Sequence, residues 1–145
     1  MHQIREYQEK DLPAIVDMIK ELAVLIGMGE RATLTVEQLR KDRDIFNCLV
    51  VEDDAGAILG IATHFYAYFS WVGKAMFLDD LIVREAYRGK GIGNGLFDAI
   101  VEKAKANQCK RLSWEVTRDN HHAQAFYRAK GAEIDADMMV CQINF

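Results

Sequence analysis

The sequence contains almost nothing that would interrupt a single folded unit. It has one proline, Pro13, and no repeat, low-complexity stretch or linker that would mark a second domain. One domain over residues 1–145 is therefore expected, since half of the residues are hydrophobic and a core can form without staples. There are few cysteines, and their number is odd. Cys48, Cys109 and Cys141 each sit in an apolar stretch without the close spacing of a metal knuckle, and read as buried thiols in a reducing compartment. The net charge is −4, with acidic residues spread along the chain. The basic stripe that nucleic acid requires is missing, so no nucleic-acid partner is expected. No apolar run approaches membrane-spanning length, and the charged residues after Met1 do not resemble a secretory leader. A soluble, cytoplasmic protein without a membrane partner is the expectation.

Hydrophobic spacing orders the rest. Gln3 to Tyr7 alternates as a strand. Leu12, Ile15, Val16, Ile19, Leu22, Ala23 and Ile26 recur at helical spacing, with Pro13 tolerable in a first turn. Gly27 and Gly29 end that helix, and Val36, Leu39 and Ile45 suggest a shorter one. Cys48–Val51 and Ala57–Tyr68, joined by the turn residues Asp53 to Gly56, predict an antiparallel hairpin. Ala75–Val83 predicts a further strand. A glycine-rich turn then leads into the helix-spaced Leu96, Ala99, Ile100 and Ala104. Leu112 to Thr117 alternates, Asp119 or Asn120 can cap a short helix through Lys130, and Gly131 precedes an expected final strand pair ending at Phe145.

Chemistry concentrates between the predicted strand at Val83 and the following helix, in Arg88-Gly89-Lys90-Gly91-Ile92-Gly93. Successive backbone N–H groups and a helix N-terminus can converge there on an anion, and glycine permits close approach. Two phosphate loops fail on spacing. A Walker loop needs Ser or Thr after Gly-Lys, where Gly91 stands; a dinucleotide fingerprint needs a third glycine, where Asn94 or Leu96 stands.

Arg88, Gly91 and Gly93 do fit the pattern Arg/Gln-x-x-Gly-x-Gly/Ala, and here the chain resembles the GNAT acetyltransferases. The element order and Asn120 followed by Tyr127 extend the resemblance across the chain. Trp71 to Lys74, Leu78 to Asp80 and Tyr87 to Gly89 resemble the diamine (spermidine/spermine) and thialysine acetyltransferase branch. The resemblance implies an α/β GNAT fold: a mixed, mostly antiparallel twisted sheet of six to seven strands flanked by about four helices. It further implies that acetyl-CoA is the cosubstrate, with its pyrophosphate held by the backbone of Arg88, Gly89, Lys90, Gly91, Ile92 and Gly93, together with Asn94 and Gly95 at the helix start. Asn120 and Tyr127 are carried over to the cofactor side, and backbone N–H groups at Leu81, Ile82 and Val83 to the thioester carbonyl.

Acyl transfer to an amine needs a neutral amine, a polarised carbonyl and a proton for the thiolate. Tyr127 matches the family tyrosine that acts as general acid, a role suited to a phenol protonated at neutral pH. Asp79 stands where the branch has a glutamate base, and its shorter side chain favours a water relay. Asp79 and Asp80, adjacent on a strand, are expected to point to opposite faces. The carboxylates Glu30, Asp79, Asp80 and Glu115, with Tyr66, Tyr68 and Trp71, are candidates to attract an ammonium group. His64, His121 and His122 lack a third ligand at suitable spacing, so no metal is assigned. The expected function is N-acetylation of a small cationic amine: a polyamine, a diamine or a lysine-like amino acid. A peptide or protein N-acetyltransferase and a non-catalytic acyl-CoA-binding module are the alternatives. A homodimer formed through the C-terminal strands is expected.

Overall fold

The computed structural model describes residues 1–145. Its first unit, Met1–Trp114, holds a five-stranded sheet. Strands β1 (His2–Glu6), β2 (Asn47–Asp53), β3 (Ile58–Phe69), β4 (Gly73–Val83) and β5 (Arg111–Ser113) lie side by side in chain order. All neighbours are antiparallel except β4 and β5, which are parallel because a helix connects them.

Helix α1 (Leu12–Leu25) takes Pro13 in its first turn, where a missing N–H costs nothing. Its stripe Leu12, Ile15, Val16 and Met18 is buried against Cys48, Val50, Ile61 and Ile82 of the sheet. Helix α2 (Val36–Lys41) is capped by Thr35, whose hydroxyl accepts from the Gln38 amide at 3.1 Å, and adds Leu39 to the same core.

Helix α3 (Ile92–Ala106) covers the opposite face. Successive residues of a strand point to opposite sides. Ile61 belongs to the α1 core, whereas a Cβ on neighbouring Gly60 would meet Leu96 at 3.1 Å and Ile92 at 3.3 Å. Glycine at this position lets α3, and the loop at its N-terminus, sit close on the sheet.

β1 is fastened to the turn that opens α1. Arg5 donates to Asp11 (2.7 Å) and to Glu52 (2.7 Å), and Asp11 also accepts from the Gln8 amide. Burial alone would raise the Asp11 carboxyl, but these hydrogen bonds hold it below the usual carboxylate value.

The second unit, Glu115–Phe145, contains helix α4 (His121–Ala129), capped by Asn120, whose side chain accepts from the Ala123 amide at 3.1 Å. Gln124 secures the approach to the helix by donating to the Thr117 and Arg118 carbonyls.

The sheet is mixed and mostly antiparallel as expected, but has five strands rather than six or seven. The strand expected over Leu112 to Thr117 is shorter, and the final pair does not form: no helix or strand follows Gly131. Met138, Met139, Val140, Ile143 and Phe145 are exposed. Alternation describes side chains, whereas a strand also requires a backbone neighbour, and this stretch has none. Of the three thiols expected to be buried, only Cys48 is; Cys109 is half-buried and Cys141 exposed.

Candidate active site

Strand β4 and the loop beyond it carry most of the candidate residues. At its end, Arg84 donates to the Ile58 carbonyl (2.9 Å) and reaches Asp17 and Glu21 of α1, so the chain leaves the sheet at a pinned point. A 3₁₀ turn over Glu85–Tyr87 follows, and Arg88 Nε returns to the Val83 carbonyl at 2.9 Å.

Gly89 and Gly91 then adopt left-handed backbone, φ +72° and +82°, and a Cβ at either would meet nothing within 4 Å. Gly91 is the N-cap of α3. The first amide in this stretch that bonds to a backbone carbonyl is Gly95, to Gly91 at 3.0 Å. The N–H groups from Gly89 to Asn94 donate to no carbonyl of the chain, and they lie at the positive end of a helix dipole. This cradle of glycines and unused amides fits the pyrophosphate of a CoA thioester. Lys90 lies over the Tyr87 ring, 5.2 Å from its centroid, and adds a cation to the loop.

On the other edge of β4, the sheet opens. β5 pairs only with Ala75–Phe77, so the stretch from Leu78 through Leu81, Ile82 and Val83 has no strand neighbour on that side. Backbone groups of that stretch facing this edge therefore have no ladder partner.

The same strand carries both aspartates, and its alternation is interrupted between them and Leu78. β3 pairs Thr63 with Asp80 and then His64 with Leu78, leaving Asp79 as the extra residue of a bulge. Asp80 is half-buried and tied to Thr63, whose hydroxyl donates to Oδ2 (2.9 Å) and accepts from the Asp80 amide (2.9 Å). Burial raises the Asp80 carboxyl above its ordinary value, and the Thr63 hydrogen bond opposes that only in part. Asp79 is exposed. Beside this pair the Phe65 and Phe77 rings stack, with centroids 5.0 Å apart. Thr63 and Phe65 are signals that the sequence reading did not use.

The remaining acceptor candidates are dispersed. Trp71 lies in the β3–β4 turn, almost fully exposed, and extended β4 places Gly73 about 20 Å from Asp79. Tyr68 is exposed and Tyr66 lies under Lys74. Glu30 lines a shallow cleft with Val24, Met28 and Arg31 at the end of α1, which neither aspartate lines. His64 is buried on the α3 side of the sheet. Its Nδ1 lies 3.1 Å from the Ala62 carbonyl, Nε2 has no partner, and burial lowers its proton affinity.

In the second unit, Tyr127 is on α4, half-buried beside Phe126, and burial raises its phenol so that it stays protonated at neutral pH. Asn120 Oδ1 is engaged as the cap of the same helix, and Glu115 begins the unit. No group of three His, Cys, Asp or Glu side chains is placed to hold a metal ion. No helix is long and apolar enough to cross a membrane.

A glycine cradle at the start of a helix, reached from a strand with an unpaired edge, is the arrangement of an acyl-CoA-dependent transferase. Residues 5–132 match the acetyltransferase (GNAT) family, and the chain belongs to that family. It is 30% identical to the thialysine N-epsilon-acetyltransferase of Bos taurus, over 90% of this chain and 83% of that protein. It is 32% identical to the spermidine/spermine N(1)-acetyltransferase-like protein 1 of Homo sapiens, over 90% of this chain but 20% of that longer protein. Among solved structures, it shares its fold with a possible acetyltransferase from Clostridium difficile 630 (TM-score 0.82, 22% identity, 100% of this chain and 99% of that one). An aminoglycoside acetyltransferase from an uncultured soil metagenomic sample has the same fold (TM-score 0.80, 20% identity, 99% and 97%).

Proposed function

We propose that this acetyltransferase moves the acetyl group of acetyl-CoA to the primary amine of a small cationic molecule: a polyamine, a diamine or a lysine-like amino acid. Direct attack takes place in a ternary complex. The observation that carries the reading is the Asp79–Asp80 bulge, two carboxylates with a stacked aromatic pair beside them on the strand that leads into the glycine cradle. Carboxylates and ring faces attract an alkylammonium group. The curated relatives support the acceptor class, since their names specify thialysine and spermidine or spermine.

Loop amides from Gly89 to Asn94 hold the pyrophosphate, with Arg88, Lys90 and Gly95 framing it. Amides of β4 at Leu81 to Val83 polarise the thioester carbonyl. The bulge receives the ammonium group, and one of its carboxylates accepts a proton; the family resemblance assigns that task to Asp79. Tyr127 gives its proton to the departing sulfur. The exposed apolar C-terminal residues Met138 to Phe145 support a homodimer in which this segment finds a partner.

Incubation with acetyl-CoA and spermidine, putrescine, lysine, thialysine or a short peptide, following free thiol, tests the reading. Thiol release with one small amine is expected. Release only with the peptide would move the assignment to a peptide N-acetyltransferase, and binding of acetyl-CoA without release to a non-catalytic module.

A further inference from the structure

The bulge on β4 does not treat its two carboxylates alike. Asp80 is fixed at two points by one hydroxyl: Thr63 Oγ1 accepts from its amide and donates to Oδ2. Thr63 itself is buried, 4% exposed, so this side chain has little freedom to exchange its bonds for water. Oδ1 has no hydrogen bond from the chain and is not sealed off, since the only buried side-chain polar atom without a partner is His64 Nε2. One carboxylate oxygen is therefore held and the other presented. Asp79, the extra residue of the bulge, is exposed.

Register adds a direction. Thr63 and Phe65 are two apart on β3 and share a face, with their cross-strand partners Asp80 and Phe77 on the same side. The stacked rings thus lie about 7 Å along the strand from the Thr63–Asp80 pair. A short alkylamine is long enough to span from the rings to that pair.

We propose that Asp80, rather than Asp79, takes the proton from the acceptor amine, and that Thr63 is the positioning residue that aims it. The assignment rests on the acetyl-transfer reading above. An ammonium N–H proton passes to Oδ1, and the freed lone pair forms the N–C bond at the thioester carbonyl. The C–S bond breaks, and the sulfur takes the Tyr127 proton. The surplus proton on nitrogen returns to the Tyr127 oxygen, and Asp80 releases its own to solvent, so that one proton leaves per amide formed.

The surroundings suit this task. Burial and the Thr63 hydrogen bond are the two influences on Asp80. Cys48, opposite Thr63 on β2, is a thiol kept protonated by burial, and α1 contributes apolar Ile15 and Met18 to this face. Asp79 is the adjacent ionisable group. A carboxyl lifted above its ordinary value accepts a proton near neutral pH more readily than an exposed one.

The test measures kcat and KM against pH with spermidine and with thialysine for wild type, Thr63→Val, Thr63→Ser, Asp80→Asn and Asp79→Asn. Activity should fall as pH drops through the Asp80 value, because the base must be unprotonated. Thr63→Val removes a bond that favours the carboxylate, so that acidic limb should move up by about one pH unit. Its kcat should fall about tenfold, with KM changed less than about threefold. Thr63→Ser should restore both. Asp80→Asn should lower kcat about a hundredfold and abolish the limb, whereas Asp79→Asn should raise KM and keep the limb. Wild-type turnover with a limb that ignores Thr63→Val, or that disappears in Asp79→Asn and survives in Asp80→Asn, overturns this assignment alone. A wild type that acetylates no amine overturns the acetyl-transfer reading and the assignment with it.

Discussion

Replacing Gly91 with alanine separates the shape of the loop from its packing. At φ +82° an L-residue is strained by about 1–2 kcal/mol, and the new Cβ meets nothing within 4 Å, so no steric cost is added. Alanine also reduces the freedom of the unfolded chain, which returns about 0.4–1 kcal/mol. A net loss of about 1 kcal/mol follows, and the protein stays folded. Acetyl-CoA affinity should suffer more. Relaxation of Gly91 turns the neighbouring amides away from the pyrophosphate, and one lost hydrogen bond to a charged group, worth about 1.5–3 kcal/mol, raises Kd about 10- to 100-fold. Gly73→Ala is the control: φ is +103° and its Cβ is also unobstructed, but it lies in the β3–β4 hairpin, at the other end of β4 from the loop. Urea unfolding and calorimetric titration with acetyl-CoA measure the two quantities. Similar losses of stability are expected, with weakened binding in Gly91→Ala only. Acetyl-CoA binding within about twofold of wild type in Gly91→Ala would refute the cradle.

Two further outcomes follow from named groups. Tyr127→Phe should lower kcat at least about tenfold while acetyl-CoA affinity is unchanged; equal turnover in a thiol-release assay would remove the phenol from the reaction. Asp11→Asn breaks the buried pair with Arg5 and should cost about 3 kcal/mol in urea unfolding near neutral pH. The Asp11 carboxyl is held below its ordinary value in the folded state, so its contribution is complete above that value and disappears as pH falls through the lowered one. The difference between wild type and Asp11→Asn should therefore shrink in strong acid, and a constant difference would count against the pair.

The glycine loop was legible in the sequence because its requirements are local. Left-handed backbone at Gly89 and Gly91 and the absence of carbonyl partners for its amides depend on a few adjacent residues, although the helix begins at Ile92, earlier than the start expected at Asn94 and Gly95. The helices were legible for the same reason, since the stripe Leu12, Ile15, Val16 carries its own period. The aspartates were not. Alternation along one strand placed Asp79 and Asp80 on opposite faces, but a bulge is a property of two strands, and only the pairing of Thr63 with Asp80 and His64 with Leu78 reveals it. The C-terminal strands failed similarly: Met138 to Phe145 has strand-like residues, yet pairing depends on a neighbour that its own sequence cannot provide.

The bulge also explains how one strand serves two chemical tasks. Beyond it, Leu81 and Ile82 resume register with Ala62 and Ile61, so Ile82 returns to the α1 core and anchors the strand where it meets the cradle. Before it, Phe77 stacks on Phe65 and Leu78 is buried. An insertion of one residue between two anchored segments turns a carboxylate out of the regular ladder without disturbing the core on either side. A regular strand through the same sequence would have to shift every residue on one side of Asp79 to the opposite face, taking Ile82 or Leu78 out of its present packing. Burial of those two side chains therefore favours the bulge, and with it the Thr63–Asp80 pair: the placement of the proton acceptor follows from the packing of the core.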